Sequence, residues 1–99
     1  MNELTGFQRD LLYCIAGTDD PYGLQIGREL ENYTSTEVNH GRLYPNLNTL
    51  VEKGLIKKQS KNDRTNLYTL TDLAIDHIEE RRQWENDKLQ DLSITANTE

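Results

Sequence analysis

Residue types that support metal, redox or membrane chemistry are scarce in this chain of 99 residues. It has one cysteine, Cys14, which excludes an intrachain disulfide and a cysteine-rich metal site. Its two histidines, His40 and His77, are far apart in the sequence, so a metal site is not expected. No apolar run reaches the roughly 18 residues of a membrane-spanning helix. We therefore expect a chain that uses no metal ion or other cofactor and does not enter a membrane.

The residue combinations that typify enzymes are missing as well. Cys14 lies beside apolar residues at helical spacing, where a buried and inert thiol is a better interpretation than a nucleophile. The carboxylates that follow residue 71 are better explained as a solvated helix face than as catalytic acids and bases. No glycine-rich phosphate loop is present. The sequence therefore predicts that the protein is not an enzyme.

Length and composition restrict the architecture. Ninety-nine residues are enough for one domain and not for two. Apolar residues make up 34% of the chain, so the core of one copy is modest and a dimer interface is an expected way to bury more area. The first residues lack the basic start and apolar stretch of a signal peptide. We expect a cytoplasmic protein.

Acidic side chains outnumber basic ones, but the two signs are unevenly distributed. The chain has 17 acidic and 11 basic side chains, a net charge of −6. Residues 1–36 carry two basic and six acidic groups (net −4), and residues 71–99 carry three basic and eight acidic groups (net −5). Residues 37–70 carry six basic and three acidic groups (net +3). The middle of the chain is therefore the part expected to meet a polyanion, although an acidic remainder can also reflect a salty cytoplasm.

Hydrophobic periodicity predicts two helices in the first third of the chain. Thr5 can cap a helix that runs to about residue 17. A turn rich in bend-forming residues follows over residues 18–23. A second helix is expected over residues 24–33, and the apolar residues on its buried side are Leu24, Ile26 and Leu30.

A third helix and a basic hairpin follow. The helix is expected to begin near residues 39–42, with Ser35 or Thr36 as its cap, and to end at Gly54. Its apolar face carries Leu43, Leu47, Leu50 and Val51. Two strands are expected over residues 55–59 and 66–70, joined by a polar turn. Helix, basic hairpin and helix in this order predict a mainly α fold with a small β-hairpin, a winged helix-turn-helix, in which the third helix enters the DNA major groove.

The last segment predicts one long helix from Thr71 to about residue 92. Six residues at spacings of three and four form a heptad-like seam that is apolar at both ends and polar in the middle, and a second copy of the chain is the simplest partner for such a seam. The seam residues are Ile75, Ile78, Arg82, Glu85, Leu89 and Leu92, with Trp84 on a neighbouring stripe. We therefore divide the chain into a winged-helix domain (1–70), a C-terminal dimerisation helix (71–92) and a frayed tail (93–99).

The exposed face of the third helix carries most of the candidate DNA contacts. Arg42 can pair with guanine or meet a phosphate. Tyr44 can pack its ring on the core while its hydroxyl reaches a phosphate. His40 can contact the DNA backbone or serve only as a cap of the helix. Four further residues can reach base edges or phosphates, or be ordinary solvated side chains: Asn39, Asn46, Asn48 and Thr49.

The hairpin supplies the remaining candidates. Lys57 and Lys58 face opposite sides of the first strand, so only one of them can point at a given groove, and we select Lys58. Lys61 and Arg64 lie at the tip and are the favoured contacts. The sequence leaves open whether this wing enters the minor groove or only contacts phosphates.

Residues 41–56, GRLYPNLNTLVEKGLI, resemble the signature of the PadR-like transcriptional regulators, G-x-L-Y-P-x-L-x-x-L-x-x-x-G-L-I. Residues 22–30 (YGLQIGREL) and 64–72 (RTNLYTLTD) are similar to the family's second helix and its wing strand. The acidic balance is similar to that of PadR-like proteins of salt-loving archaea or their viruses. The resemblance implies a homodimer joined by the C-terminal helix, with the first helix contributing through Leu4, Phe7 and Leu11. It also implies a palindromic operator and repression more often than activation.

The resulting hypothesis is a sequence-specific regulator that binds double-stranded DNA as a homodimeric repressor at the nucleoid. The chain has room only for the family's short form, without an effector domain, so a small-molecule effector is not expected. An alternative is a winged-helix module that binds another protein. The net charge of −6 keeps that alternative open, whereas the local +3 favours DNA.

Overall fold

The computed structural model describes residues 3–92, and the tail expected over residues 93–99 lies outside this range. Within it the elements are α1 (Gly6–Ala16), α2 (Gly23–Thr34), α3 (His40–Glu52), β1 (Ile56–Ser60), β2 (Asn66–Leu70) and α4 (Asp72–Leu89). The predicted fold class, mainly helical with one small antiparallel hairpin, is confirmed. None of the described helices combines the length and apolar character needed to cross a membrane.

Thr5 caps α1, as the sequence predicts. Its hydroxyl accepts a hydrogen bond from the Gln8 backbone N–H at 3.1 Å, and the Gln8 side-chain oxygen accepts from the Thr5 N–H at 3.2 Å. This reciprocal pair satisfies two of the N–H groups that a helix start leaves without partners.

Helix α2 buries Ile26 and Leu30, but the expectation for Leu24 is wrong because this side chain is 42% exposed. Leu24 precedes Ile26 by two residues and therefore points to a different side of the helix. The helix ends at Thr34, and the C-cap residue Ser35 adopts a left-handed backbone conformation (φ 56°).

Helix α3 is capped by Asn39, whose side-chain oxygen accepts from the Gly41 N–H at 2.6 Å. The expectation that Ser35 or Thr36 caps it is therefore wrong. Pro45 falls in the second turn, early enough that only one intrahelical hydrogen bond is lost. The buried face carries Leu43, Leu47 and Leu50, with Val51 half-buried, and Gly54 reverses the chain with a positive φ of 75°.

The hairpin is anchored to the turn between α1 and α2. In its register Ile56 faces Leu70 and Lys58 faces Tyr68. The Tyr68 N–H donates to the Pro21 carbonyl at 2.9 Å, beside an isolated antiparallel bridge between Tyr22 and Leu67. This contact fixes the wing beside the N-terminus of α2.

One apolar core joins α1, α2, α3, the base of the hairpin and the start of α4. Its largest fully buried side chains are Leu11, Leu12, Ile26, Leu30, Leu43, Leu47, Leu50 and Ile56. Ala74 is fully buried and Ile78 packs against the same core, so α4 is attached through its first two turns.

The C-terminal part of α4 projects from the body. The radius of gyration is 14.8 Å, against about 13 Å for a compact chain of this length. The extents of 50 × 29 × 23 Å show the same elongation. Several large apolar side chains of α4 are exposed: Leu73, Ile75, Trp84 and Leu89, followed by Leu92 beyond its end. The division into a winged-helix domain and a dimerisation helix stays a prediction.

Candidate nucleic-acid interface

Helix α3 presents an outward face and two flanks around its buried line of leucines. The outward face carries Gly41, Pro45 and Asn48, all exposed. One flank leans toward α1 and the other toward α2 and the wing. The exposed Asn48 side chain makes no hydrogen bond within residues 3–92, so its donors and acceptor are available to a ligand.

Arg42 lies on the flank that faces α1. Its guanidinium carbon is 4.0 Å from the centroid of the Phe7 ring, a cation–π contact. Both residues line a cleft of about 300 Å³ that also includes Asp10 and Glu37. Stacking uses the face of the guanidinium and leaves the N–H groups at its rim free to donate. Arg42 is therefore exposed and supported by α1.

Asn46 lies on the same flank, and its side chain makes two hydrogen bonds within the protomer. Its Nδ2 donates to the Arg42 carbonyl at 2.7 Å, and its Oδ1 accepts from Gln8 Nε2 at 2.9 Å. The bond to Gln8 holds α3 against α1, and the bond to the Arg42 carbonyl lies within α3 and orients the amide. A direct contact of Asn46 with DNA stays a prediction.

Two other polar candidates make local hydrogen bonds. The Asn39 side-chain oxygen caps α3, and the Thr49 hydroxyl donates to the Pro45 carbonyl at 3.0 Å. Thr49 is also half-buried. Their direct role at DNA stays a prediction.

Tyr44 lies on the flank that faces α2 and the wing. His40 packs edge-on against its ring, with centroids 5.9 Å apart and an interplanar angle of 82°. A Cβ on Gly23 would lie 2.6 Å from Tyr44 atoms, so glycine at the start of α2 permits this close packing. Tyr44 and Arg64 line one cavity, which brings the third helix and the wing together.

The wing lysines take different positions. Lys61 Nζ is 3.3 Å from Asp20 Oδ2, but the two side chains are 48% and 66% exposed, so the pair contributes little and Lys61 can exchange it for a phosphate. Lys58 is exposed and shares a sheet face with its cross-strand partner Tyr68, whereas Lys57 points to the other face.

These contacts define one surface with two ends. The first end joins Tyr44, His40 and Arg64, and the second is Arg42 on Phe7. The structure does not bring Arg42 and Arg64 into one cavity.

Comparison with known proteins identifies the family of this chain. The profile of the transcriptional regulator PadR-like family matches residues 11–80. The chain belongs to the PadR-like family. Members of this family are DNA-binding transcription regulators rather than enzymes, which confirms the predicted class of function.

Solved structures of three similar proteins have the same fold. The structure of RosR from H. salinarum, grown from NaBr, is 46% identical and has a TM-score of 0.83, covering 88% of this chain and 78% of that chain. The complex structure of hsRosR-S1 is 45% identical with a TM-score of 0.85, covering 89% and 78%. F93 from STIV, a winged-helix DNA-binding protein, is 13% identical with a TM-score of 0.64 over 85% of this chain and 92% of that chain, which shows the fold alone. No curated protein sequence matches.

The structure removes two residues from the predicted dimer surface of this PadR-like protein. Leu11 is completely buried and Leu4 is 7% exposed, so both belong to the core of the protomer and have almost no surface for a partner. The Phe7 ring carries Arg42. We therefore remove Leu4 and Leu11 from the candidate interface.

Two sides of α4 remain available. Ile75, Leu89 and Leu92 are 40–52% exposed along the seam. Arg82 and Glu85 face a cleft of about 600 Å³ that also contains Tyr13 and Tyr33. Trp84 precedes Leu89 by five residues, about 140° around the helix, and it stacks with Arg81 at 4.7 Å. Trp84 and Leu89 therefore point to different sides of α4, and the role of Trp84 at a dimer interface stays a prediction.

Cys14 is half-buried in the larger cleft. Burial, followed by the nearby charges of Glu29 and Asp10, raises the pKa of its thiol from 9.0 to about 11. The thiolate is the reactive form, so this environment makes Cys14 a poor nucleophile near neutral pH.

Sequence reasoning missed three contributors to the site. Gln8 positions α3 through its hydrogen bond to Asn46. The capping-box spacing from Thr5 predicts that Gln8 lies at the start of α1. That spacing does not reveal the contact with Asn46. Phe7 supports Arg42 across 35 residues of chain, and Tyr68 lines the cavity beside Tyr44. Neither of these long-range contacts has a local sequence signal.

Proposed function

We propose that this PadR-like protein is a homodimeric repressor that binds a palindromic operator with sequence specificity. The observation that carries the proposal is the placement of exposed Arg42, Tyr44 and Asn48 on the outward side and flanks of α3, with basic Arg64 beside Tyr44 on the wing. This surface belongs to the only third of the chain that has a net positive charge.

Binding would place residues 39–49, most of α3, in the major groove. Gly41 and Pro45 are compact, so the outward face can approach the base edges closely, and Asn48 can pair with adenine. Arg42, held by Phe7, reaches guanine or a phosphate from the flank. The wing then contacts the adjacent backbone.

The exposed stripe of α4 supports the homodimer. A projecting helix with Ile75, Leu89 and Leu92 in water gains free energy by burying them against the same stripe of a second copy. A two-fold dimer spaces its two α3 helices about one turn of DNA apart, roughly 34–36 Å, and therefore reads a palindrome.

Repression follows from the simplest use of such a dimer. A dimer that occupies a promoter site hinders the access of the transcription machinery to that site. The absence of a small-molecule effector and residence at the nucleoid in the cytoplasm stay predictions.

Selection of bound fragments from a random DNA library tests the proposal directly. We expect an enriched motif with two inverted half-sites, bound at a stoichiometry of two chains per duplex in light scattering. Enrichment of asymmetric motifs bound by one chain would contradict the homodimer and the palindrome.

Arg42→Ala is the first variant to measure on the selected operator. We expect specific binding to weaken by roughly 1–3 kcal/mol, with preference relaxed at the base pair that Arg42 reads. A mobility-shift titration with operator and scrambled DNA measures both effects. Unchanged affinity and preference would remove Arg42 from the reading role.

A further inference from the structure

A cavity of about 150 Å³ lies between the N-terminus of α2, the Tyr44 flank of α3 and the wing. None of the residues that line it is acidic, although the whole chain has a net charge of −6. The two larger clefts differ, because Asp10 lines both of them together with glutamates. The composition of this cavity therefore favours an anion.

The backbone at the start of α2 offers hydrogen-bond donors to the cavity. Its N-cap residue, Tyr22, makes no side-chain capping bond. The N–H groups of Gly23, Leu24 and Gln25 have no acceptor within residues 3–92. A helix of 12 residues also directs the positive end of its dipole to this point, which stabilises a negative charge there.

Tyr68 is an independent indication of a ligand. Its side chain is only 2% exposed, and its hydroxyl makes no hydrogen bond within the described part of the chain. That part contains no fully enclosed side-chain oxygen or nitrogen without a partner, so the Tyr68 hydroxyl opens into the cavity that the residue lines. Burial, then Tyr44, raises the pKa of Tyr68, which keeps the hydroxyl protonated as a donor.

Arg64 completes the set with a full positive charge at the rim of the cavity. Charge-assisted hydrogen bonds from a guanidinium, a phenol and helix N–H groups are the donors that hold phosphate groups in proteins.

We propose that this cavity binds one phosphate of the DNA backbone, held jointly by Arg64, the Tyr68 hydroxyl and the N-terminus of α2. This inference rests on the proposed DNA-binding function and adds two groups that sequence reasoning did not select. Because α2, α3 and the wing all contribute, the bound phosphate fixes the register of α3 on the duplex. Phosphate contacts of this kind position a protein without reading sequence.

Methylphosphonate substitution of the operator tests this site. A methylphosphonate replaces one charged phosphate oxygen by a methyl group, and each position of a half-site is substituted in turn. Fluorescence anisotropy at constant salt gives Kd for the wild-type protein, Arg64→Gln and Tyr68→Phe. We expect one position per half-site at which substitution weakens the wild type about tenfold or more, yet adds little further loss in either variant.

Two controls match the variants in chemistry. Lys57→Gln removes a positive charge from the other face of β1, and Tyr33→Phe removes the hydroxyl of a tyrosine that is 79% exposed in a different cleft. Both should retain the full methylphosphonate effect. A merely structural role of Tyr68 would weaken binding equally at every position and leave the losses additive.

Additive losses at all positions would overturn the phosphate site while leaving DNA binding intact. Absence of operator binding by the wild type would instead refute the proposed function. Thermal-shift measurements with inorganic phosphate address a free anion as the occupant. Stabilisation that disappears in Tyr68→Phe, together with additive methylphosphonate losses, would assign the cavity to a free anion and contradict a backbone phosphate.

Discussion

At the residue scale, two asparagines on α3 differ in role although the sequence treats them alike. Asn46 holds α3 to α1 through Gln8, whereas Asn48 is exposed and makes no hydrogen bond within residues 3–92. Because they are two positions apart, they point to different sides of the helix, but spacing alone does not reveal which partner Asn46 meets. The distinction comes from the partner on α1, which lies 38 residues away in the chain.

Asn46→Ala and Asn48→Ala should therefore have opposite effects. Loss of the two Asn46 hydrogen bonds should lower the free energy of unfolding by about 1–2 kcal/mol. Asn48→Ala should change stability by less than about 0.5 kcal/mol but weaken operator binding by roughly 1–3 kcal/mol. Urea denaturation and anisotropy at one protein concentration measure the two quantities. Wild-type stability in Asn46→Ala combined with lost affinity would contradict the assignment.

The environment of Cys14 makes the stability of the fold depend on pH. Because the folded-state pKa is raised to about 11 above the ordinary 9.0, the folded protein holds the thiol proton more tightly than the unfolded chain. The resulting stabilisation is complete below pH 9 and is lost as the pH rises toward 11.

Alkylation by iodoacetamide tests this pKa. We expect the rate in the folded protein to rise with a midpoint near pH 11, and the rate in guanidinium-unfolded chain to rise near pH 9. The alkylation of the unfolded chain is the internal control. A folded-state midpoint at or below 9 would show that the cleft does not disfavour the thiolate.

At the scale of elements, the start of α3 is a boundary that local sequence alone does not determine. Ser35, Thr36 and Asn39 can all cap a helix, so the sequence alone cannot choose among them. The Val38 N–H donates to Glu31 Oε2 at 2.7 Å, which keeps the connector extended and moves the helix start to His40. The bounds of the hairpin strands depend less on distant contacts. The second strand has the bounds that the sequence predicts, residues 66–70.

The α4 helix was predicted in type and start but not in the side it presents. Its heptad-like seam is readable from spacing, whereas the burial of Ala74 and the packing of Ile78 on the core depend on the angle at which α4 leaves the body. The same holds for Leu4 and Leu11, which spacing cannot distinguish from interface residues.

Leu89→Asp tests the proposed dimer helix. A carboxylate on the exposed seam should prevent burial of the stripe against a second copy and yield monomers in light scattering. Circular dichroism should show that the winged-helix body stays folded, because Leu89 lies outside the core. Gln83→Glu, which adds the same charge on another side of α4, should remain dimeric. A Leu89→Asp protein that keeps the wild-type mass would place the interface elsewhere.

At the scale of the whole molecule, charge is segregated in a way that suits one docking face. Net positive charge is confined to residues 37–70, which include all of α3 and the wing, and the segments on either side of them are acidic. Segment charges can be counted from the sequence. The separation of Arg42 and Arg64 onto two flanks of α3 required the structure, because it depends on how α1 and the wing pack beside that helix.

The dependence of operator affinity on salt tests this segregation most directly. With six to eight phosphate contacts per dimer, log affinity should fall against log salt with a slope of about −5 to −7. Arg64→Gln removes one contact per protomer and should make the slope shallower by about 2, whereas Asp76→Asn on α4 should leave it unchanged. Affinity that does not depend on salt, or the same slope in wild type and Arg64→Gln, would contradict a cationic face formed by α3 and the wing.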